Sequence, residues 1–443
     1  MKRKSILLVL AAIVAAIAAG LFLLGKRTPG RPNVVVIVID TLRADHLPIY
    51  GYPHRTAPFL EELAQDGIVF DRVYSTSSWT APATASLFTS LYPTQHGVTT
   101  GMVATRRAQR LDPTITLNAI PDEAVTVAEM MRGAGYRTFG VADNWNIDAA
   151  EGFHQGFDAF QSYNDRGAEV VNAQVERWRA KILEPGSPYF LYLHYMDPHR
   201  PYRLREPWSG ELGATGSRDV SAYDSEIRLV DEHIRELFED FGWSRNTIVV
   251  VTADHGEEFG DHGEYDHGHN LYNETLRVPL LIHPASALGA ERGRRSDPVS
   301  LIDLYPTLRE MVGERSAGHE EGRSLLSTLR GGGASPGEDR TVFAHLQRSP
   351  LAYKHGERIV RAAISGGHKY LVRFPEAREE LYDVIQDSGE TRDLSSAEPR
   401  RAAELRQTLE AFEKTSPRLP GVSREILLDE AELEKLRSLG YAE

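Results

Sequence analysis

The chain has 443 residues, a formal net charge of -13 and no cysteine. Without cysteine there is no disulfide framework, thiolate nucleophile, zinc–thiolate site or lipidated sulfur, and the acidic balance argues against a nucleic-acid binder, which carries a basic face. The length allows one large domain with an appendage or two of unequal size.

Lys2, Arg3 and Lys4 precede an almost wholly apolar run over residues 5–25, and Lys26 and Arg27 follow it. About twenty apolar residues span a bilayer as a helix. Residues 1–30 therefore read as a membrane anchor and linker, with the body outside the cytoplasm, periplasmic or at the cell surface. A cleaved signal peptide is the rival, since residues 15–20 offer small residues, but Leu21 to Leu24 carry the apolar run past such a site.

Residues 33–40 (NVVVIVID) read as a strand buried on both faces and closed by Asp40. Ligands of open α/β sheets bind beyond the carboxyl ends of strands, so Asp40 is a site candidate, although an acid there also serves as an ordinary helix cap. A helix is expected over 58–66 and a strand over 68–74. In residues 77–98 (SSWTAPATASLFTSLYPTQHGV) the Thr80 hydroxyl falls where a loop becomes a helix. The free N–H groups of a first helical turn attract an anion and Pro82 is tolerated there, while a plain N-cap is the simpler use of such a threonine.

Further helices are expected over 123–134, 169–183 and 217–241, and strands over 136–142, 189–195 (YFLYLHY) and 247–252 (TIVVVT), the last running into Ala253-Asp254-His255-Gly256. A strand over 277–283 and a helix over 298–312 follow. The loop-like GGGASPG at 331–337 is the expected boundary before short strands at 341–345, 358–363, 369–372 and 380–384 and helices at 402–413 and 430–439. The alternation implies an α/β fold, a mostly parallel sheet sandwiched by helices over 31–335, with a smaller C-terminal α+β subdomain over 336–443.

Residues 254–269 (DHGEEFGDHGEYDHGH) hold four of the sixteen histidines among six acids. Imidazole nitrogen and carboxylate oxygen are ligands for a divalent cation, and Asp254-His255 follows a buried strand as Asp40 does. Asp40, the Thr80 hydroxyl, Asp254 and His255 are thus expected around one cation, which would lower the pKa of the Thr80 hydroxyl and make it a competent nucleophile. His199, in YMDPHRPY after another strand, is the expected acid or electrostatic clamp for a leaving alkoxide, with His269 as the alternative. His262, His267 and His269 would supply a second metal site, or the loop orders itself by ordinary hydrogen bonds. Oxygen-rich ligation favours Ca, Mg or Mn, and the histidine keeps Zn open.

Asp40-Thr41-Leu42-Arg43-Ala44-Asp45, residues 80–90, Asp197-Pro198-His199, Asp254-His255-Gly256-Glu257 and Arg277-Val278-Pro279 together resemble the sulfatase family of the alkaline phosphatase superfamily. Glu380-Leu381-Tyr382-Asp383 and Ser438-Leu439-Gly440-Tyr441 extend the resemblance towards the C-terminus. It implies a metal-dependent hydrolase or transferase of sulfate or phosphate esters with a covalent intermediate on Thr80. Sulfatases place a cysteine or serine there and convert it to formylglycine, for which threonine is no recognised precursor. The family arginine four residues on is Thr84 here. Where many sulfatases read Gly-Lys-Trp-His, this chain reads Ala142-Asp143-Asn144-Trp145, and the later family lysine is replaced by His269. Asn144 and His269 are therefore the expected substrate-binding residues.

A threonine nucleophile resembles the phosphate-handling branches of the superfamily. The leading expectation is a phosphoesterase or phosphotransferase acting on a small or glycan- or lipid-linked anionic ester. A true sulfatase is the alternative among enzymes, and an inactive glycan or lipid-head-group binding protein the alternative outside them.

Overall fold

The computed structural model describes residues 31–109, 116–284, 291–316, 318–330, 340–348, 358–416, 418–419 and 423–424. Its centre is a nine-stranded mixed sheet. The strands are Asn33–Ile39 (β1), Ile68–Tyr74 (β2), Arg137–Asp143 (β3), Ala159–Tyr163 (β4), Tyr189–Tyr195 (β5), Thr247–Thr252 (β6), Leu280–His283 (β7) and Gly293–Ser300 (β8), with a two-residue strand Arg277–Val278. β6, β1, β5, β3 and β4 lie side by side and parallel. β7 runs antiparallel between β6 and β2, and β8 is parallel to β2. β1, β5 and β6 are buried along nearly their whole length, which is why they read as continuous apolar runs rather than alternating ones.

Helices Pro58–Asp66 (α1), Thr80–Thr89 (α2), Val127–Gly133 (α3), Ala168–Ile182 (α4), Arg218–Asp240 (α5) and Leu304–Val312 (α6) cover the sheet. In α5 the buried Tyr223, Ile227, Val230, Ile234 and Leu237 recur at spacings of about 3 to 4 residues and form its sheet-facing stripe, started by Ser217, whose hydroxyl caps the Val220 N–H. A separate antiparallel sheet, Val342–Arg348 (β9), Arg358–Ser365 (β10), His368–Phe374 (β11) and Arg378–Asp383 (β12), is followed by helix Pro399–Thr415 (α7).

The α/β class with a mostly parallel, helix-covered sheet and a smaller C-terminal sheet is what the sequence predicts. Residues 298–300 are strand instead of helix, because the end of β8 pairs with β2 up to Ser300 before α6 begins at Leu304. The helix expected at 430–439 and the boundary expected at 331–337 lie outside the described residues. The membrane-anchored localisation is corrected: among the described residues no helix is long and apolar enough to cross a membrane. Residues 5–25, on which that expectation rested, lie outside them.

Candidate active site

Strand register alone gathers much of the site. Val38 is level with Thr252 on one side and His194 on the other, and His194 is level with Ala142. Two residues further along, Asp40, Asp254, Met196 and Asn144 therefore stand in one row across four parallel strands at the carboxyl edge of the sheet. Thr80 reaches the same edge from the loop after β2, as the first residue of α2, a helix buried throughout.

The backbone at Asp40 is held under strain. Thr41 has φ 56°, a left-handed conformation costly for a β-branched residue. The Tyr223 hydroxyl secures it by donating to the Thr41 carbonyl at 2.8 Å and accepting the Arg43 N–H at 2.9 Å.

Thr80, Asp40, Asp254 and His255 converge. His255 Nε2 lies 3.3 Å from Thr80 Oγ1 and 3.5 Å from both Asp40 Oδ1 and Asp254 Oδ2. Its other nitrogen, Nδ1, is 2.8 Å from the Gly256 carbonyl, which only accepts, so Nδ1 carries the proton and the Nε2 lone pair faces the cluster. Asp40 Oδ1 and Asp254 Oδ2 are both buried without a hydrogen-bond partner, a costly condition that one cation would relieve. Adjacent ligands around a divalent ion bound at 2.0–2.4 Å stand roughly 3.0–3.5 Å apart, and the three distances from His255 Nε2 fall in that range.

The other oxygen of Asp40 is fully occupied. Oδ2 accepts from Asn144 Nδ2 and lies 3.2 Å from His194 Nε2. Asn144 is oriented by the Asn146 N–H, which donates to its Oδ1 at 2.7 Å, and its Nδ2 also lies 3.5 Å from Thr80 Oγ1. His194 is in turn held by the Tyr192 hydroxyl at 2.9 Å. Sequence reading missed His194, whose ligand atom lies within 4.8 Å of those of Asp40 and Asp254. Its signal was a single imidazole in the otherwise apolar and aromatic YFLYLHY.

Electrostatics follow from this packing. Burial works to raise the Asp40 carboxyl, but the hydrogen bond with His194 and the nearby His199 and His255 hold it well below the usual carboxylate range. Burial and the charge of Asp40 push Asp254 well above it. Burial and His267 push His255 well below the ordinary imidazole value, leaving the neutral form that binds metals.

The three remaining histidines of the acidic loop share no carboxylate and go to four in all. His262 pairs with Glu274, His267 with Glu257 and Asp266, and His269 with Glu258, each at 2.9 Å. They do not converge as the expected second metal site would require. His267 is the one that reaches the Thr80 cluster: its ring centre lies 4.4 Å from that of His255 and 5.0 Å from that of His199. Burial opposes its protonation, yet Asp266 and Glu257 raise it well above the ordinary imidazole value. His199, partly exposed, meets His267 edge-on and forms the outer side of this group. His269 is buried against Glu258.

A family profile described as Sulfatase matches residues 32–314. The human N-acetylgalactosamine-6-sulfatase is 25% identical over 396 residues, covering 77% of this chain and 71% of that protein. An ulvan-active sulfatase of Formosa agariphila is 23% identical over 410 residues, covering 81% and 76%. Among solved structures, a phosphonate monoester hydrolase from Silicibacter pomeroyi superposes with a TM-score of 0.67 at 22% identity, over 89% of this chain and 99% of that one. Members of this family are ester hydrolases that generally use a divalent metal, and the chain belongs to it: it is a sulfatase-family hydrolase of the alkaline phosphatase superfamily.

Proposed function

We propose that this hydrolase acts on phosphate-type esters through a covalent intermediate on Thr80, with 31–335 as the catalytic unit and 336–443 as its subdomain. The observation that carries the reading is the Thr80 hydroxyl itself. An unconverted threonine, 2% exposed, stands at the start of an uncapped ten-residue helix beside two partnerless carboxylate oxygens. The first-turn N–H groups favour an anionic ester there. The Thr80 hydroxyl lies 3.3 Å from His255 Nε2 and donates to that nitrogen's lone pair.

Asp40, Asp254, His255 and Thr80 are the proposed ligands of a divalent cation, with magnesium, calcium or manganese favoured and zinc allowed. When bound, such an ion supplies Lewis acidity at the nucleophile and the ester oxygen. Asn144 and His194 orient Asp40 through its second oxygen, leaving Oδ1 to face the cluster. In the first half-reaction the Thr80 hydroxyl gives its proton to solvent, the Oγ–P bond forms, the bond from phosphorus to the leaving oxygen breaks, and that oxygen takes a proton or is stabilised by charge. His199 and the imidazolium of His267 stand at the open side to do this. Water or another hydroxyl then attacks phosphorus and returns the Thr80 hydroxyl.

The alternative, sulfate ester hydrolysis, is favoured by the names of the curated relatives and opposed by Thr80. Mass spectrometry of acid-quenched protein, incubated with aryl phosphate and aryl sulfate esters and divalent metal, tests both. The expected result is a phosphoryl adduct on Thr80 and turnover abolished in Thr80→Ala with the fold intact. Unchanged turnover in that variant would overturn the mechanism, and turnover of the sulfate ester alone would favour the alternative.

A further inference from the structure

The last residue pair of the β9–β10 ladder before the hairpin connection is Arg348 opposite Arg358. Like charges directly across a sheet destabilise it, so this pair runs against local preference and needs a compensating contact. Both side chains find it in the active-site loop. Arg348 Nε donates to the Gly268 carbonyl at 3.2 Å, and Arg358 Nη1 donates to the His269 carbonyl at 2.8 Å. The Arg348 guanidinium also lies over the Trp79 ring, 4.0 Å from its centroid, an arrangement that planar arginine makes better than lysine.

These contacts fall beside the chemistry on both sides. Trp79 immediately precedes Thr80, and Gly268 immediately follows His267, whose ring centre lies 4.4 Å from that of His255. Gly268 has φ +73°, and a Cβ there would come within 2.1 Å of Arg348 Nη2. The loop is thus shaped to receive the guanidinium.

We propose that Arg348, with Arg358 beside it, is a positioning residue of the active site, by which the C-terminal sheet fixes the His267 loop relative to the Trp79–Thr80 turn. The distance between the nucleophile and the His267 ring is then set by a guanidinium from another sheet. This rests on the proposed role of Thr80 for its kinetic consequence, but not for the clamp itself.

The test uses the full chain and the variants Arg348→Ala, Arg348→Lys and Arg358→Ala. Hydrogen exchange of the 266–270 amides reads the clamp without any substrate. Arg348→Ala is expected to speed exchange there at least about tenfold while β1 and β6 stay protected. With 4-nitrophenyl phosphate, kcat of Arg348→Ala is expected to fall about tenfold to a hundredfold with KM within about threefold. Added guanidinium ion, at concentrations that do not shift the melting temperature, should restore part of kcat in Arg348→Ala and none in Thr80→Ala. Lysine should not substitute fully.

Unchanged exchange at 266–270 in Arg348→Ala overturns the clamp whatever the activity. A kcat loss that tracks a lowered melting temperature and resists guanidinium overturns the positioning role in favour of a structural one. If the wild-type protein turns over no ester, the proposed reaction fails while the exchange result still decides the clamp.

Discussion

Two buried charge arrangements in this molecule are built in opposite ways. Between the two sheets, Lys369 and Glu390 meet at 2.7 Å with no exposed side-chain surface on either. Lys369 also donates to the Leu271 carbonyl and Asn273 Oδ1 at 3.0 Å each, and Glu390 Oε2 accepts the Asn273 N–H at 2.6 Å. At the carboxyl edge of the main sheet, Asp40 and Asp254 are equally buried but no lysine or arginine is paired with either among the described residues, and each leaves one oxygen without a partner. A fold that supplies its own cation in one place and withholds it in the other distinguishes a structural pair from a site awaiting a ligand.

The largest effect expected from breaking this contrast is at Asp254. Asp254→Asn should lower turnover at least about a thousandfold and abolish bound divalent metal, measured by elemental analysis of the purified protein. The metal-free variant should nevertheless be more stable than the metal-free wild type, by about 1–2 kcal/mol in denaturant unfolding, because a buried carboxylate facing another is removed. A variant that is both inactive and unstable without metal would mean that Asp254 is structural.

At the other pair the signs reverse. Lys369→Met strands the Glu390 carboxylate and should cost about 3–5 kcal/mol, while metal content and the turnover of the folded fraction stay as in the wild type. Loss of metal in this variant would join two regions that we treat as independent.

Metal itself sharpens the comparison further. Added to metal-free protein at about 100 times its dissociation constant, a divalent cation should raise the unfolding free energy by about 2.7 kcal/mol. The gain should survive in Lys369→Met and vanish in Asp254→Asn. Calorimetric unfolding with magnesium, calcium, manganese and zinc in turn would rank the ions as well.

The sequence displayed the sheet because its central strands are apolar on both faces, and it displayed Asp40, Asp254 and Thr80 because each closes or opens an element with a polar residue. Their convergence is a matter of register, which motif order anticipates but does not measure. His194 stayed hidden inside an apolar strand. Which imidazole of the acidic loop lies beside His255 was not legible, because alternating histidines and acids give no local pattern that tells it; His267 does, whereas His269 pairs with Glu258. Arg348 and Arg358 were invisible as site residues because their reach depends on how the second sheet packs on the first. The strand at 298–300 was read as helix since Pro298 to Ser300 have no strand partners until β2 lies beside them.

Histidines show the same division between satisfied and open groups, and they yield the smallest prediction. His96, in the segment after α2, is as buried as His255. Its Nδ1 accepts the Val98 N–H at 3.0 Å and its Nε2 lies 3.0 Å from Ser86 Oγ, so both nitrogens are used within the chain and the ring has no lone pair left for a ligand. Burial pushes its pKa down to about 3. The unfolded chain therefore takes up a proton near pH 6.5 that the native protein refuses until about pH 3. Stability from this group is complete above pH 6.5 and declines as the pH falls through that window, at about 1.4 kcal/mol per unit for one proton. From pH 6.5 to pH 5 the loss is about 2 kcal/mol. In His96→Asn the amide oxygen can accept the Val98 N–H and has nothing to protonate, so the gap in stability between variant and wild type should narrow by that amount over the same range. A gap independent of pH would mean that His96 already titrates normally and that the two buried histidines are less different than their hydrogen bonds make them.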